Sequence, residues 1–186
     1  MIIKKYPFVV VEGIDGVGKT TCAKAVAKKI GGIYYKTPSK KFEKERVEFD
    51  LSKNYSSRFL FYLKVVNHAS SEISKLILKK PVVCDRYIYS TIAYHRALGV
   101  KIPSNLIEKS LILVPNLTIY LWADQKTCSQ RITERGVYSN SDKELEKDKN
   151  LQEKIHKEFE TFSLTLINTS NLTITEVSNK IIEIIQ

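Results

Sequence analysis

Eight residues near the start of the chain, Gly13 to Thr20 (GIDGVGKT), match G-x-x-x-x-G-K-[ST] at every fixed position. Each residue type has a use in holding phosphate. Glycines let the backbone curl until successive N–H groups point inward at anionic oxygens, and a following helix adds its positive N-terminus. Lys19 can reach the β- and γ-phosphates, while the Thr20 hydroxyl binds Mg²⁺. The apolar run Val9–Val11 before the loop reads as a strand and the residues after it as a helix. That context makes the pattern a nucleoside triphosphate site.

A second stretch, Val82 to His95 (VVCDRYIYSTIAYH), delivers Asp85 to the C-terminal end of a strand, where open α/β sheets place ligands. Asp85 can hold Mg²⁺ or its water. Arg86 offers a planar fork suited to a second phosphate group. Taken alone, an Asp-Arg pair is as readily a structural ion pair; the phosphate loop in the same chain favours the chemical reading. Arg131 and Arg135, four apart, share one face of a helix and could balance charge on a transferred group. Their bland alternative is a pair of solvated surface arginines, set against a chain in which only six of 30 basic residues are arginine.

Short β-rich runs alternate with longer helical ones, and these must position the loop and the Asp-Arg pair. Phe8–Glu12, Ile33–Tyr35, Val82–Cys84, Leu117–Leu121 and Leu164–Asn168 read as strands, mostly apolar without alternation, as expected of strands covered on both faces. Thr20–Ile30, Tyr55–Lys79, Ser104–Leu113, Gln125–Arg135 and Asp142–Phe162 read as helices. A last helix opens with a Thr173/Glu176 capping box and carries a core stripe of Ile174, Val177, Ile181, Ile184 and Ile185. This alternation predicts an α/β fold in three layers, a five-stranded parallel sheet flanked by helices. No linker or repeat divides residues 1–186, so one domain is expected, with the polar run Ser139–Asn150 its most mobile segment.

Bulk properties narrow the function. A net charge of +10 invites nucleic acid. The lysines are scattered in pairs, however, with no arginine-rich tract, stacking platform or zinc spacing beside them; a basic surface also attracts polyanionic nucleotides. Cys22, Cys84 and Cys128 are lone and widely spaced, which fits a reducing cytoplasm. Lys4, Lys5 and Glu12 interrupt the first apolar run, unlike a signal peptide, and no run approaches the roughly 20 apolar residues of a membrane span. A regulatory GTPase would need N-K-x-D after a strand. Here the one Asn-Lys pair, Asn179-Lys180, is followed by Ile-Ile in the last helix.

Taken together, FVVVEGIDGVGKTT and DRYIYSTIAYH resemble the thymidylate kinase family of P-loop nucleoside monophosphate kinases. The second segment is similar to that family's D-R-Y-x-x-S-x-x-A-Y-Q, with His95 in the place of the glutamine. PNLTIYLWAD (Pro115–Asp124), RITERG (Arg131–Gly136) and NTSN (Asn168–Asn171) resemble its next strand, its helix leading into a lid near 136–150, and its adenine-contacting loop.

The resemblance implies ATP-dependent phosphorylation of a nucleoside monophosphate, dTMP before others, by a cytoplasmic homodimer with no nucleic-acid or membrane partner. ATP would lie against Gly13, Asp15, Gly16, Val17, Gly18, Lys19, Thr20 and Thr21, with Arg131, Asn168 and Ser170 at its far end. Mg²⁺ would sit at Thr20 and Asp85. Arg86 would clamp the acceptor phosphate and Asp15 approach its sugar hydroxyl, unless Asp15 merely shapes the turn. Ser90, Thr91 and Tyr94 would line the acceptor pocket. Lys19, Arg86, Arg131 and Arg135, with Lys143 in the lid, would neutralise the transferred charge.

The likeness is poorest over Lys36–Lys64. The family's T-R-E-P after the second strand is here Lys36-Thr37-Pro38-Ser39. Phe61 stands where relatives frame the base, with Val65 in place of their following arginine; Arg58, on the same face, is the substitute, and core packing is the alternative role for Phe61. His68 and His95 read as surface or pocket-edge residues. Two rivals remain open. One is a deoxynucleoside kinase or a kinase for another monophosphate; against the former, YYKTPSKKF has no acid before Glu43 to serve as base. The other is a non-catalytic ATP-binding module.

Overall fold

The structure, a computed structural model, describes residues 5–136 and 150–185. Five parallel strands form one sheet: β1 (Phe8–Gly13), β2 (Ile33–Lys36), β3 (Val82–Asp85), β4 (Leu117–Trp122) and β5 (Thr165–Asn168), in the order β2-β3-β1-β4-β5. The central strand β1 is buried along its whole length. Its side chains alternate between two cores: Phe8 and Val10 enter one with Val82 and Cys84, while Val11 enters the other with Val83. Burial on both faces is why the strands read as unbroken apolar runs.

Eight α-helices are described: α1 (Lys19–Lys29), α2 (Glu43–Leu51), α3 (Tyr55–Leu76), α4 (Ile88–Ala97), α5 (Leu106–Lys109), α6 (Gln125–Arg135), α7 (Leu151–Glu160) and α8 (Ile174–Ile185). On one side of the sheet, α1, α7 and α8 supply Val26, Ile155 and Ile181 to the core; on the other, α3 and α4 supply Ile73 and Ile92. The three-layer α/β reading holds. The capping box holds too: Thr173 N–H donates to Glu176 Oε2 at 2.8 Å, and Glu176 N–H donates back to Thr173 Oγ1 at 3.3 Å.

Several elements depart from expectation. The stretch 104–113 yields only the short α5. Ser110 turns extended, Ile112 and Leu113 bury against the sheet, and Leu113 N–H donates to Ser70 Oγ of α3 at 2.7 Å. Apolar burial outweighs helix propensity there. The last helix meets the core through Val177, Ile181 and the partly buried Ile185, whereas Ile174 and Ile184 are 39% and 45% exposed; Ile184 and the half-exposed Leu166 of the edge strand β5 line one surface hollow. α2 has no counterpart among the expected helices, and none of its residues is fully buried. Of the helix expected over 142–162, the part before residue 150 lies outside the described residues, as do most of the lid and Lys143.

Candidate active site

The phosphate loop runs from the end of β1 to α1 across the carboxyl edge of the sheet. Gly18 caps α1 in the left-handed conformation (φ 91°), and α1 has no acidic residue in its first turn to compete for its N–H groups. Gly16 is required for a different reason. At φ 86°, a Cβ there would come within 2.6 Å of Cys128 O in the first turn of α6. That turn is fixed by Asp124, which accepts from Thr127 N–H at 2.8 Å; bonds from Thr127 and Ser170 hold its carboxyl down to about 2.

Lys19 is 5% exposed, donates to Ile14 O and lies 3.7 Å from Asp15. Burial, then the charge of Arg86, brings its pKa down to about 8, with Asp15 and Asp85 opposing. Thr20 Oγ1 donates to Asp85 Oδ2 at 2.5 Å, and Tyr34 Oη donates to the same oxygen at 3.1 Å. The expected metal ligands therefore meet. Two hard oxygen donors at the mouth of a phosphate loop suit Mg²⁺, which usually takes one or two protein oxygens and completes its shell with phosphate and water.

Arg86 faces the loop. Its Nη2 lies 2.6 Å from Asp15 Oδ1 and 3.3 Å from Tyr94 Oη; its Nη1 lies 3.0 Å from Gly13 O and 3.2 Å from Ser90 Oγ. The guanidinium also sits 5.1 Å from the Tyr94 ring centre. Arg86 has φ 67°, a left-handed conformation that costs a non-glycine residue about 1–2 kcal/mol. It persists because neighbours hold both sides of its peptide: Arg86 N–H donates to Val11 O at 3.0 Å, and Thr37 Oγ1 donates to Arg86 O at 2.7 Å. Thr37 thus supports the site from just beyond β2, in the segment where the resemblance was poorest.

Other expected residues are placed less simply. Arg131 donates to Thr169 Oγ1 (3.2 Å) and Thr169 O (2.9 Å), and Thr169 Oγ1 in turn lies 3.2 Å from Val17 O. The loop after β5 is thereby tied to the phosphate loop, as expected of a shared nucleotide site, but through Thr169. Asn168 and Ser170 bond to each other, and Ser170 Oγ accepts from Asp124 N–H at 3.0 Å. Arg135 is exposed at the end of α6, and Thr21 is exposed on the first turn of α1. The Thr91 hydroxyl is buried and turned back to Tyr87 O at 3.3 Å.

Phe61 packs as its core reading expects. It is 3% exposed, stacked on Phe49 of α2 at 4.6 Å and met edge-on by Phe42 and Tyr62, which makes it the centre of a small core. Arg58 is buried beside it, 5.5 Å from the Tyr55 ring centre. His95 is also buried, not at a surface, between Phe59 and Tyr62 with Nδ1 2.6 Å from Thr91 O.

This geometry can be set beside known proteins. The thymidylate kinase family model matches residues 11–181. The chain belongs to that family. It is 32% identical over 182 residues to the probable thymidylate kinase of Methanocaldococcus jannaschii, covering 94% of this chain and 93% of that protein. Among solved structures, the thymidylate kinase of Candida albicans superposes with a TM-score of 0.78 at 22% identity, covering 97% of this chain and 91% of the other. A deoxyadenosine kinase from M. mycoides with bound dATP gives 0.71 at 18%, covering 96% and 98%. At such identities the superpositions show the fold, and a fold shared with a deoxynucleoside kinase does not choose the acceptor. Family membership does place the chain among the nucleoside monophosphate kinases, transferases that draw on ATP.

Two supporting residues escaped the sequence reading of this thymidylate kinase family member. Glu12 is buried with partners on α4, and Thr169 joins Arg131 to the loop. The first had a faint signal, an acid closing an apolar run. The second had none beyond lying between two residues already singled out.

Proposed function

We propose that this chain transfers the γ-phosphoryl group of ATP to dTMP, giving dTDP. One observation carries the reading beyond family membership: Asp15 lies between two cations, 3.7 Å from Lys19 Nζ and 2.6 Å from Arg86 Nη2. Lys19 belongs to the loop that takes the donor triphosphate. Arg86 belongs to the neighbouring strand end, and so two phosphate-binding groups face one another across one carboxylate. Phosphoryl transfer asks mainly for such positioning and for charge stabilisation.

Lys19 and the loop amides hold the donor, Arg86 orients the acceptor phosphate, and Arg131 with Arg135 adds positive charge on the lid side. Asp15 is placed to exchange its bond to Arg86 for the acceptor's sugar hydroxyl. Thr20 and Asp85 would hold Mg²⁺, which would supply positive charge to offset that of the phosphates. No general base is needed, because a phosphate monoester has its second ionisation near pH 6. This suits a segment after β2 whose first acid, Glu43, is exposed and paired with Arg46 at 2.5 Å. The family likeness extends the proposal to a homodimer. Three free, buried cysteines suit a cytoplasmic setting, and among the described residues no helix is long and apolar enough to cross a membrane.

The test is ADP release from Mg-ATP with dTMP, dUMP, UMP, CMP, AMP, GMP or thymidine in turn. dTMP is expected to give the highest kcat/KM. Turnover of thymidine without dTMP would overturn the acceptor assignment, and ATP binding without turnover of any acceptor would favour a binding module. Light scattering of the same preparation reads the oligomer.

A further inference from the structure

Glu12 makes none of the phosphate contacts described above, yet it is a fully buried carboxylate, and its three hydrogen bonds all go to the segment that follows Arg86. Its Oε1 accepts from Tyr87 N–H at 3.0 Å and from Ser90 N–H at 3.2 Å, and its Oε2 accepts the Ser90 hydroxyl proton. Tyr87 is the N-cap of α4. That helix has no side-chain cap of its own and no acid in its first turn. Glu12 therefore supplies from the adjacent strand what a capping box supplies from within a helix, acceptor oxygens for the first N–H groups; burial pushes its carboxyl above the usual range, and the bonds from Ser90 and the charge of Arg86 pull the other way.

The Ser90 hydroxyl links this cap to Arg86. A hydroxyl has one proton and two lone pairs. The proton is committed to Glu12, so the lone pairs are turned outward, and Arg86 Nη1 donates to that oxygen at 3.2 Å. The carboxylate also fixes Tyr87 N–H, the next group along the chain from Arg86, whose backbone is held left-handed. Both the guanidinium and its peptide are thus anchored through one buried acid.

We propose that Glu12 is a positioning residue for phosphoryl transfer, acting through Ser90 and the first turn of α4 to hold the Arg86 guanidinium where the acceptor phosphate meets it. The inference rests on the assignment of Arg86 to the acceptor made above. A purely structural cap would stabilise α4 without affecting how the acceptor binds.

Glu12→Gln separates the two. Its amide oxygen still accepts both backbone N–H groups, whereas its NH₂ cannot accept the Ser90 proton. The acceptor is whichever monophosphate the wild-type protein prefers, so a wrong base assignment shows in the wild type alone and leaves this comparison intact. Acceptor Kd by calorimetry gives the same comparison without turnover. The expected result is an acceptor KM or Kd raised ~10-fold or more and a kcat lowered at least ~10-fold, with ATP Kd within about 3-fold of wild type, the scale on which displaced charge-stabilising groups act. Added to Arg86→Ala, the same substitution should change acceptor binding by less than about 2-fold, because residues acting as a unit are not additive. A lowered melting temperature with acceptor constants unchanged, full multiplication of the two effects, or equal weakening of ATP binding would each overturn the proposal. Should Glu12→Gln not fold, Ser90→Ala breaks the link while leaving the cap. It is expected to raise acceptor KM about 3–10-fold with ATP Kd retained, and wild-type constants for it would be equally decisive against the role.

Discussion

Arg86 Nη2 and Asp15 Oδ1 lie 2.6 Å apart although 71 residues separate them in the chain. The contact joins the end of the third strand to the phosphate loop that follows the first. It also sets what removal of Arg86 should do. Arg86→Ala takes away a cation facing the acceptor while Lys19 keeps its bond to Ile14 O and Thr20 its bond to Asp85. The acceptor KM should rise and kcat should fall by at least about 100-fold, the usual scale for a lost charge-stabilising donor. ATP affinity, measured by calorimetry without acceptor, should stay within about 3-fold. Collapse of ATP binding would instead assign Arg86 to the donor site.

Lys19 gives a pH dependence. Its pKa in the fold is about 8, below the ordinary 10.5, because burial and the charge of Arg86 disfavour the ammonium. Between those values the unfolded chain binds more protons than the native one, so this group adds stability as pH rises from about 8 to 10.5. A bound triphosphate favours the ammonium and pulls the other way. ATP binding should therefore take up part of a proton in the range just above pH 8 and weaken as pH rises further. Calorimetry in buffers of different ionisation enthalpy reads the uptake, and Lys19→Arg, which stays charged, should abolish it. Zero uptake in the wild type would mean that Lys19 is already fully protonated.

What was legible in the sequence was what is encoded locally. β1, the loop and α1 follow from an unbroken apolar run, three glycines and the residues after them, and α6 spans the Gln125–Arg135 expected of it. Residues that support the site from a distance were not legible. Glu12 meets Tyr87 across 75 positions, and Thr169 meets Val17 across 152. No spacing rule reaches that far. α2 was missed because it presents no apolar stripe; Phe49 on Phe61 and Asp50 on the Tyr62 hydroxyl tie it down, and both partners belong to α3.

That same stack gives a prediction about Phe61. As the centre of a small core, Phe61→Ala should cost about 3–5 kcal/mol, whereas Phe61→Leu should cost less than about 1.5 kcal/mol. Neither a ring face nor an edge is needed for a core role, so the leucine variant should keep its acceptor KM within about 2-fold. Urea melts and initial rates on both variants check this. A leucine variant of normal stability with a sharply raised acceptor KM would restore Phe61 as a stacking platform for the base.

Gly16 and Gly31 separate two reasons for having glycine. Both have positive φ, 86° and 62°. A Cβ on Gly31 would meet nothing within 4 Å, but on Gly16 it would run into the backbone of Cys128, 2.6 Å from its oxygen and 2.8 Å from its Cα. Backbone strain alone costs about 1–3 kcal/mol, so Gly31→Ala should lower stability by that amount and leave ATP affinity unchanged. Gly16→Ala adds a clash between two pieces of backbone, neither of which can swing aside as a side chain would. The phosphate loop must lift from α6, carrying its inward-pointing N–H groups with it. ATP affinity should fall at least ~10-fold, since those oriented N–H groups are what bind the anion. Parallel melts and ATP titrations of the two variants decide the matter: equal ATP affinities would show that the loop does not depend on its seat against Cys128.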